Sequence, residues 1–200
     1  MEDSTTDNLE GNFPEYSILG PELTTFVLQV GFVEGIEMDS QAFSNLTDAC
    51  QHIFRNNKEY AIILWNGIPI RLSYVEDIPF MVEGLIAFLR RIQNNSKKAQ
   101  YELATANLQW QWIATQENDV LTITSNFVHL KGNYENALEP LSLLKAEVGA
   151  FISEWKLLLQ QLVTAIEHSD CKLSSKKSRQ ALKHLQILNE GVINRGRLYA

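Results

Sequence analysis

The dipeptide Asn66-Gly67 constrains the fold of this chain more strongly than any other local feature. Asparagine and glycine tolerate the positive φ that a two-residue type I′ turn requires. Runs rich in β-branched and aromatic residues flank the dipeptide at 59–65 and 68–74, so the sequence predicts a β-hairpin. Counting outward from the turn places a wholly apolar set on one face, which we expect to be core. This set consists of Ala61, Ile63, Trp65, Ile68, Ile70, Leu72 and Tyr74.

The second strand of this hairpin, which begins with Ile68 and ends with Tyr74, is predicted to be a sheet edge. Its other face carries Pro69 and Arg71 and is more polar than the same face of the first strand. Pro69 has no N–H for an outer neighbour, and prolines in sheets are confined largely to edges, strand starts and bulges. An unpaired edge can also pair with a second copy of the chain. We therefore consider a homodimer through this strand or through the C-terminal helix.

Hydrophobic periodicity predicts the remaining elements. Residues 23–33 alternate as a strand, and 101–115 with 120–130 read as a second, longer hairpin. Four helices are indicated by apolar residues that recur at steps of three and four. The first helix is predicted to begin after Asp39 or Ser40, and the second to run from Asp77, its N-cap, to Gln93. The third follows the apolar stripe between Leu144 and Ile166, and the fourth covers 178–190.

The element order predicts an α+β fold. It has an antiparallel sheet of about five strands, formed by the first strand and the two hairpins, packed against about four helices. A length of 200 residues with 45% hydrophobic content fits one domain. We expect that domain to span 21–200 and to end in a basic C-terminal helix. Residues 1–20 are expected to form an acidic, flexible leader.

Charge is distributed unevenly along the chain. Residues 1–54 contain ten Asp or Glu and no Lys or Arg, whereas 171–200 contain seven Lys or Arg and one Glu. The net charge of −7 opposes binding to nucleic acid, because that affinity depends on Lys and Arg neutralising phosphates. It favours a basic protein partner instead. Neither nucleic acid nor a membrane is therefore an expected partner.

Few residues suggest a reaction centre. The sequence has no GxSxG, Walker A, GxGxxG or HExxH motif, and its four histidines are not spaced for shared metal ligation. Cys50 and Cys171 are far apart and belong to no CxxC motif or Cys/His cluster. We therefore predict no catalytic residue, no metal and no cofactor. The chain start lacks the features of a signal peptide and no apolar run is long enough for a bilayer, so we expect a cytoplasmic location.

The leading hypothesis is a non-enzymatic, cytoplasmic protein-protein interaction module. One form of it is an immunity-type neutraliser of a basic partner, an analogy based on charge and size alone. The predicted partner-binding residues include Glu34, Glu37 and Asp39, which stand in a loop after the first strand. Tyr60 and Arg71 join them, because they lie on the more polar face of the hairpin and are residue types enriched at interfaces.

The alternative hypothesis is an enzyme or small-ligand binder. Trp110 and Trp112 are two apart on a strand, so they share one face and could line a pocket between sheet and helices, with His129 as a polar partner. Their other interpretation is a pair of core aromatics beneath the long helix, where Trp155 would meet them. A deep cavity shared by these tryptophans and His129 or a carboxylate favours ligand binding, whereas a filled interior favours the interaction module.

Overall fold

The structure of the protein is a computed structural model that describes residues 24–31, 33, 36 and 40–196, with side chains as far as 188. Within those residues the α+β class is confirmed, with six α-helices and two antiparallel sheets. The leader predicted for 1–20 lies outside the described residues. Among the described residues, no helix combines the length and the apolar character needed to cross a membrane.

Strands and helices are interspersed along the described part of the chain. The strands are β1 (Phe26–Val30), β2 (Ala42–Phe43), β3 (Tyr60–Trp65), β4 (Ile68–Ser73), β5 (Lys98–Ala104), β6 (Leu108–Glu117), β7 (Val120–Leu130), β8 (Leu143–Glu147) and β9 (Lys172–Leu173). The helices are α1 (Leu46–Ile53), α2 (Ile78–Gln93), α3 (Glu135–Leu138), α4 (Val148–Glu154), α5 (Lys156–His168) and α6 (Lys176–Gly196). A short 3₁₀ helix covers Glu139–Leu141.

The predicted hairpin forms two strands of a three-stranded sheet with the order β1-β3-β4. Asn66 and Gly67 have φ values of 49° and 85°, as a type I′ turn requires. The pairing counted from the turn is confirmed, from Trp65 opposite Ile68 to Ala61 opposite Leu72. β4 has a strand neighbour on one side within this sheet, so its predicted position at an edge is also confirmed.

The turn provides a test of the hairpin. Gly67→Ala is expected to lower the free energy of unfolding by about 1–2 kcal/mol, because an L-residue is strained at a φ of +85° although nothing lies within 4 Å of the added Cβ. Gly149→Ala is the matched control, since its Cβ also meets nothing within 4 Å and it stands in helix α4, where alanine is favoured. Urea unfolding measures both. A Gly67→Ala protein as stable as the Gly149→Ala protein contradicts the type I′ turn.

The prediction of one five-stranded sheet is wrong. The second hairpin, β6 and β7, belongs to a separate four-stranded sheet with the order β5-β6-β7-β8. The segment predicted as one strand over 101–115 turns back on itself at 105–107, where no glycine or proline marks a turn. The Thr105 hydroxyl makes this turn by accepting hydrogen bonds from the backbone N–H groups of Asn107 and Leu108, at 3.2 and 3.0 Å.

The long helix predicted from Leu144 is also wrong at its start. Residues Leu143–Glu147 form strand β8, which pairs with β7. Leu144 and Val148 are four residues apart, which also fits one side of a helix, but Ala146 between them is buried as well, so the burial alternates as in a strand. The helical part that follows is interrupted at Trp155, between α4 and α5.

Aromatic rings fill the interior where the two sheets and the helices meet. The ring of Trp65, from the first sheet, stacks on that of Trp112, from the second, with centroids 5.4 Å apart. Trp155, at the junction of α4 and α5, approaches Trp112 with centroids 6.4 Å apart. Phe88 of α2 reaches the same ring at 6.0 Å. The core therefore depends on side chains that are distant in sequence.

Candidate partner-binding cleft

Tyr60 and Arg71 come together on the outer face of the first sheet. In the β3–β4 register Tyr60 is opposite Ser73 and Arg71 is opposite Ile62, so the two side chains are diagonal neighbours on one face. The guanidinium carbon of Arg71 lies 5.9 Å from the centroid of the Tyr60 ring, within the range of a cation–π contact. Both side chains are exposed, and Tyr60 keeps 45% of its surface accessible.

The acidic group predicted to bind a partner, Glu34, Glu37 and Asp39, lies outside the described residues.

Beside Tyr60 and Arg71 lies a cavity of about 330 Å³, which we name the β4 cleft. Its wall combines the β3–β4 hairpin with the start of α2, the β5–β6 turn and the loop after β7. Its volume is at the lower end of the range for small ligand sites, which is roughly 300–1,000 Å³. The lining residues are Tyr60, Pro69, Arg71, Asp77, Asn107, Leu108, Lys131 and Tyr134.

Asp77 joins two walls of the β4 cleft. Its side chain is almost completely buried, and its carboxylate accepts hydrogen bonds from the Ser73 N–H at 2.9 Å and the Thr105 hydroxyl at 2.6 Å. The Asn107 amide adds longer contacts of 3.3 and 3.4 Å. Asp77 stands at the predicted N-cap of α2, but its side chain makes no capping bond there. The carboxylate instead holds β4 against the β5–β6 turn.

The loop after β7 brings Lys131 and Tyr134 to the cleft. The Lys131 N–H donates to the Asn107 carbonyl at 2.8 Å, which fixes the loop against the β5–β6 turn. Gly132 then has a φ of +115°, a conformation that L-residues rarely adopt, and an added Cβ would come within 3.1 Å of the Tyr134 ring. Glycine at this position therefore lets Tyr134 fold back toward the cleft.

The cleft presents two cations. Within the part of the chain that the structure describes, neither Arg71 nor Lys131 has a carboxylate oxygen within 4.0 Å. Burial raises the pKa of the Tyr134 hydroxyl above its usual value, while the positive charge of Arg71 opposes that rise. Arg71 thus acts electrostatically on Tyr134 across the cleft.

The outer edge of β4 offers few backbone groups. In an antiparallel pair, alternate residues direct their N–H and C=O groups away from the partner strand. The N–H of Ser73 is bonded to Asp77 on the side away from β3, so Ser73 is one of these outward-facing residues. The alternation then places Arg71 and Pro69 in the same set. Pro69 has no N–H, and that of Ser73 is bonded to Asp77. Among these three residues, Arg71 is therefore the one with an outward N–H that is not bonded to Asp77.

The structure does not bring Trp110, Trp112 and His129 together. Trp110 and Trp112 are buried, with their rings stacked at 5.4 Å, while His129 is exposed. His129 is directly opposite Gln109, whose side chain faces solvent, and a register shift follows before Trp110 pairs with Phe127. Successive residues of a strand point to opposite faces, so His129 and the tryptophans lie on opposite sides of the sheet.

The tryptophans are core aromatics. Aromatic rings occupy the interior in which the alternative hypothesis placed a pocket shared with His129. The indole N–H groups of Trp110, Trp112 and Trp155 have no hydrogen-bond partner among the described residues. These side chains contribute apolar area and ring contacts to the core.

Other reactive groups do not form a recognisable centre within the described residues. No group of three or more His, Cys, Asp or Glu side chains there is arranged to hold a metal ion. Burial is the main cause that raises the pKa of the Cys50 thiol to about 12, with smaller effects from Cys171 and Glu83. Cys50 is therefore a protonated thiol at neutral pH, and the thiol is a poor nucleophile.

Sequence reasoning identified Tyr60 and Arg71 but missed Asn107, Lys131 and Tyr134. One signal for the loop was available in the run Lys131-Gly132-Asn133-Tyr134. The glycine marks a turn, after which the tyrosine side chain can fold back toward the preceding strand.

No family model matches the chain, and no curated protein and no solved structure shows significant similarity to it. The fold is therefore described by its class, an α+β protein with antiparallel sheets of three and four strands.

Proposed function

We propose that this chain is a non-enzymatic protein-interaction module that docks a partner protein on the β4 cleft and its rim. One observation carries the proposal: an exposed tyrosine and an exposed arginine stack on each other beside a cleft at a sheet edge. Tyrosine and arginine are enriched among residues that contribute most to binding. Their mutual contact orders both side chains before a partner arrives, which lowers the entropy cost of docking.

The net charge of −7 supports a basic partner within this proposal. A protein of one charge sign attracts a partner of the other over distances longer than a contact, and this attraction accelerates association. A cytoplasmic neutraliser of a basic partner, similar in role to an immunity protein, is the form of the proposal that this charge favours. Glu34, Glu37 and Asp39 remain proposed contacts for it.

Side-chain docking is favoured over addition of a partner strand to β4. Strand addition depends on a row of free N–H and C=O groups along the edge. Pro69 lacks the N–H, and the N–H of Ser73 is bonded to Asp77. Among the outward N–H groups of β4, a partner strand could therefore use that of Arg71 alone, and the same limit applies to a second copy of this chain. The affinity has to come from the side chains at the cleft.

The experiment compares capture by the native chain with capture by rim variants. Tagged protein is incubated with lysate of its native host, and a retained partner is purified and titrated. Tyr60→Ala with Arg71→Ala is expected to weaken the affinity about tenfold or more, because both side chains lie at the centre of the proposed interface. Affinity is also expected to fall as salt rises through the physiological range.

The matched control is Lys98→Ala with Gln100→Ala, two exposed residues of β5 on the other sheet. It is expected to leave the affinity unchanged. A partner that binds the rim variant and the native chain equally well overturns the proposed docking site. Turnover of a host metabolite by the purified chain would contradict the non-enzymatic assignment.

A further inference from the structure

We propose that the β4 cleft is a receptor for a single carboxylate, contributed by an acidic side chain of the partner and held between Arg71 and Lys131. The source of the carboxylate rests on the proposed function, but the receptor itself rests on the two cations and the cleft that they line.

The state of the two cations distinguishes this cleft from an ordinary surface. An exposed cation on a protein surface is ordinarily solvated, and exposed ion pairs contribute little. Arg71 differs from this ordinary case because its guanidinium is held over the Tyr60 ring at 5.9 Å. Arginine presents its N–H donors as a planar fork that matches both oxygens of a carboxylate. Arg71 is therefore oriented in advance for an anion.

The carboxylate in the wall of the cleft does not neutralise the two cations. Asp77 lines the cleft but does not pair with Arg71 or Lys131 within 4.0 Å. Its carboxylate is engaged by the Ser73 N–H and the Thr105 hydroxyl instead. Because these neutral donors fix Asp77 in the wall, it does not swing out to neutralise the cations. The two positive charges stay available to a ligand.

The cleft also offers a hydroxyl group to the ligand. The Tyr134 hydroxyl makes no hydrogen bond to another described residue, and it lies close enough for Arg71 to influence its pKa. It can donate to a carboxylate held by Arg71. The Asn107 amide is already engaged, since it donates to Glu76 at 2.7 Å as well as contacting Asp77. Arg71, Lys131 and Tyr134 therefore form the donor set.

The charge balance of the cleft favours one carboxylate over a more highly charged anion. Arg71 and Lys131 supply two positive charges, while Asp77 in the wall and the neighbouring Glu76 supply two negative ones. These four charges sum to zero, so a bound carboxylate leaves the cleft with one net negative charge and a doubly charged phosphate leaves it with two, which the overall net charge of −7 opposes more strongly. Carboxylate is also the group whose width the arginine fork matches.

The test uses a short peptide, blocked at both ends, that contains one glutamate among glycines and serines, and the same peptide with glutamine in its place. Isotope-labelled full-length protein is titrated with each peptide and followed by nuclear magnetic resonance. We expect shifts of the Arg71, Lys131 and Tyr134 amide signals, and about tenfold tighter binding of the glutamate peptide, because charge-assisted hydrogen bonds are roughly twice as strong as neutral ones.

Arg71→Gln combined with Lys131→Gln is expected to abolish the preference for glutamate without changing the melting temperature, since both residues are exposed. Lys98→Gln, which removes an exposed cation from β5, is the matched control and should keep the preference. Equal binding of the two peptides overturns the inference, and so does loss of the preference in Lys98→Gln. Inorganic phosphate forms a separate arm, and saturation by phosphate with no response to the glutamate peptide also overturns it.

The failure of this inference can be told apart from the failure of the proposed function. In one case, capture of the partner requires Tyr60 and Arg71, but the glutamate and glutamine peptides bind equally. That result overturns the carboxylate receptor and leaves the interaction module supported. In the opposite case, Arg71→Gln with Lys131→Gln removes the preference for glutamate, while the protein with Tyr60→Ala and Arg71→Ala still binds the partner. That result supports the carboxylate receptor and overturns the docking site.

Discussion

Replacement of Trp112 by alanine is expected to lower the free energy of unfolding by about 3–5 kcal/mol, as large aromatic truncations in protein cores do. The side chain is fully buried and its ring lies 5.4 Å from that of Trp65 and 5.4 Å from that of Trp110. The contact with Trp65 joins the two sheets, so the loss affects both. Urea unfolding monitored by circular dichroism measures the change.

Trp112→Phe is the control for size and polarity. The indole N–H of Trp112 has no hydrogen-bond partner among the described residues, so phenylalanine removes area but leaves no bonded partner unsatisfied. We expect a loss of about 1–2 kcal/mol, well below that of alanine. A Trp112→Ala protein with nearly native stability would contradict the filled interior and restore support for a ligand pocket lined by tryptophans.

Replacement of Asp77 by alanine is expected to lower the free energy of unfolding by about 2–4 kcal/mol, because it removes a buried acceptor and leaves two partly buried donors without a partner. The groups that lose a partner are the Ser73 N–H and the Thr105 hydroxyl, which bond the carboxylate at 2.9 and 2.6 Å. The attachment between β4 and the β5–β6 turn would be lost with them. Because these two segments form walls of the β4 cleft, we also expect weaker partner binding. Urea unfolding and partner titration measure the two effects.

Glu76→Ala is the matched control for Asp77. Glu76 precedes Asp77 in sequence and also accepts a hydrogen bond from Asn107, but its side chain is exposed. Removal of an exposed carboxylate is expected to change stability by no more than about 0.5 kcal/mol. Equal stability changes for the two variants would show that the Asp77 carboxylate is not a structural attachment, and the rigid wall of the cleft would lose its support.

Half of the candidate site could be predicted from the sequence because it lies within one hairpin. The Asn66-Gly67 turn sets the register of β3 and β4, and the register alone places Tyr60 and Arg71 on the same face. Lys131 and Tyr134 could not be predicted in this way, since they are about sixty residues away along the chain. Their approach depends on how the loop after β7 packs against the β5–β6 turn.

The same distinction explains the errors of fold. The period of the apolar residues around Leu144 suits both a strand and a helix, and pairing with β7 decides between them. The turn at Thr105 uses a side-chain hydroxyl in place of glycine or proline, so composition did not indicate it.

What the chain determines by itself is local: the type I′ turn, the hairpin register, the apolar face of α2 and the alternation of buried and exposed residues in each strand. These features need interactions only between near neighbours in sequence. The tertiary structure alone decided that the two hairpins belong to separate sheets, that Trp110 and Trp112 belong to the core, and that Arg71 and Lys131 face one cleft. The reason is that these arrangements depend on burial of apolar area between distant segments, which a local pattern permits in more than one way.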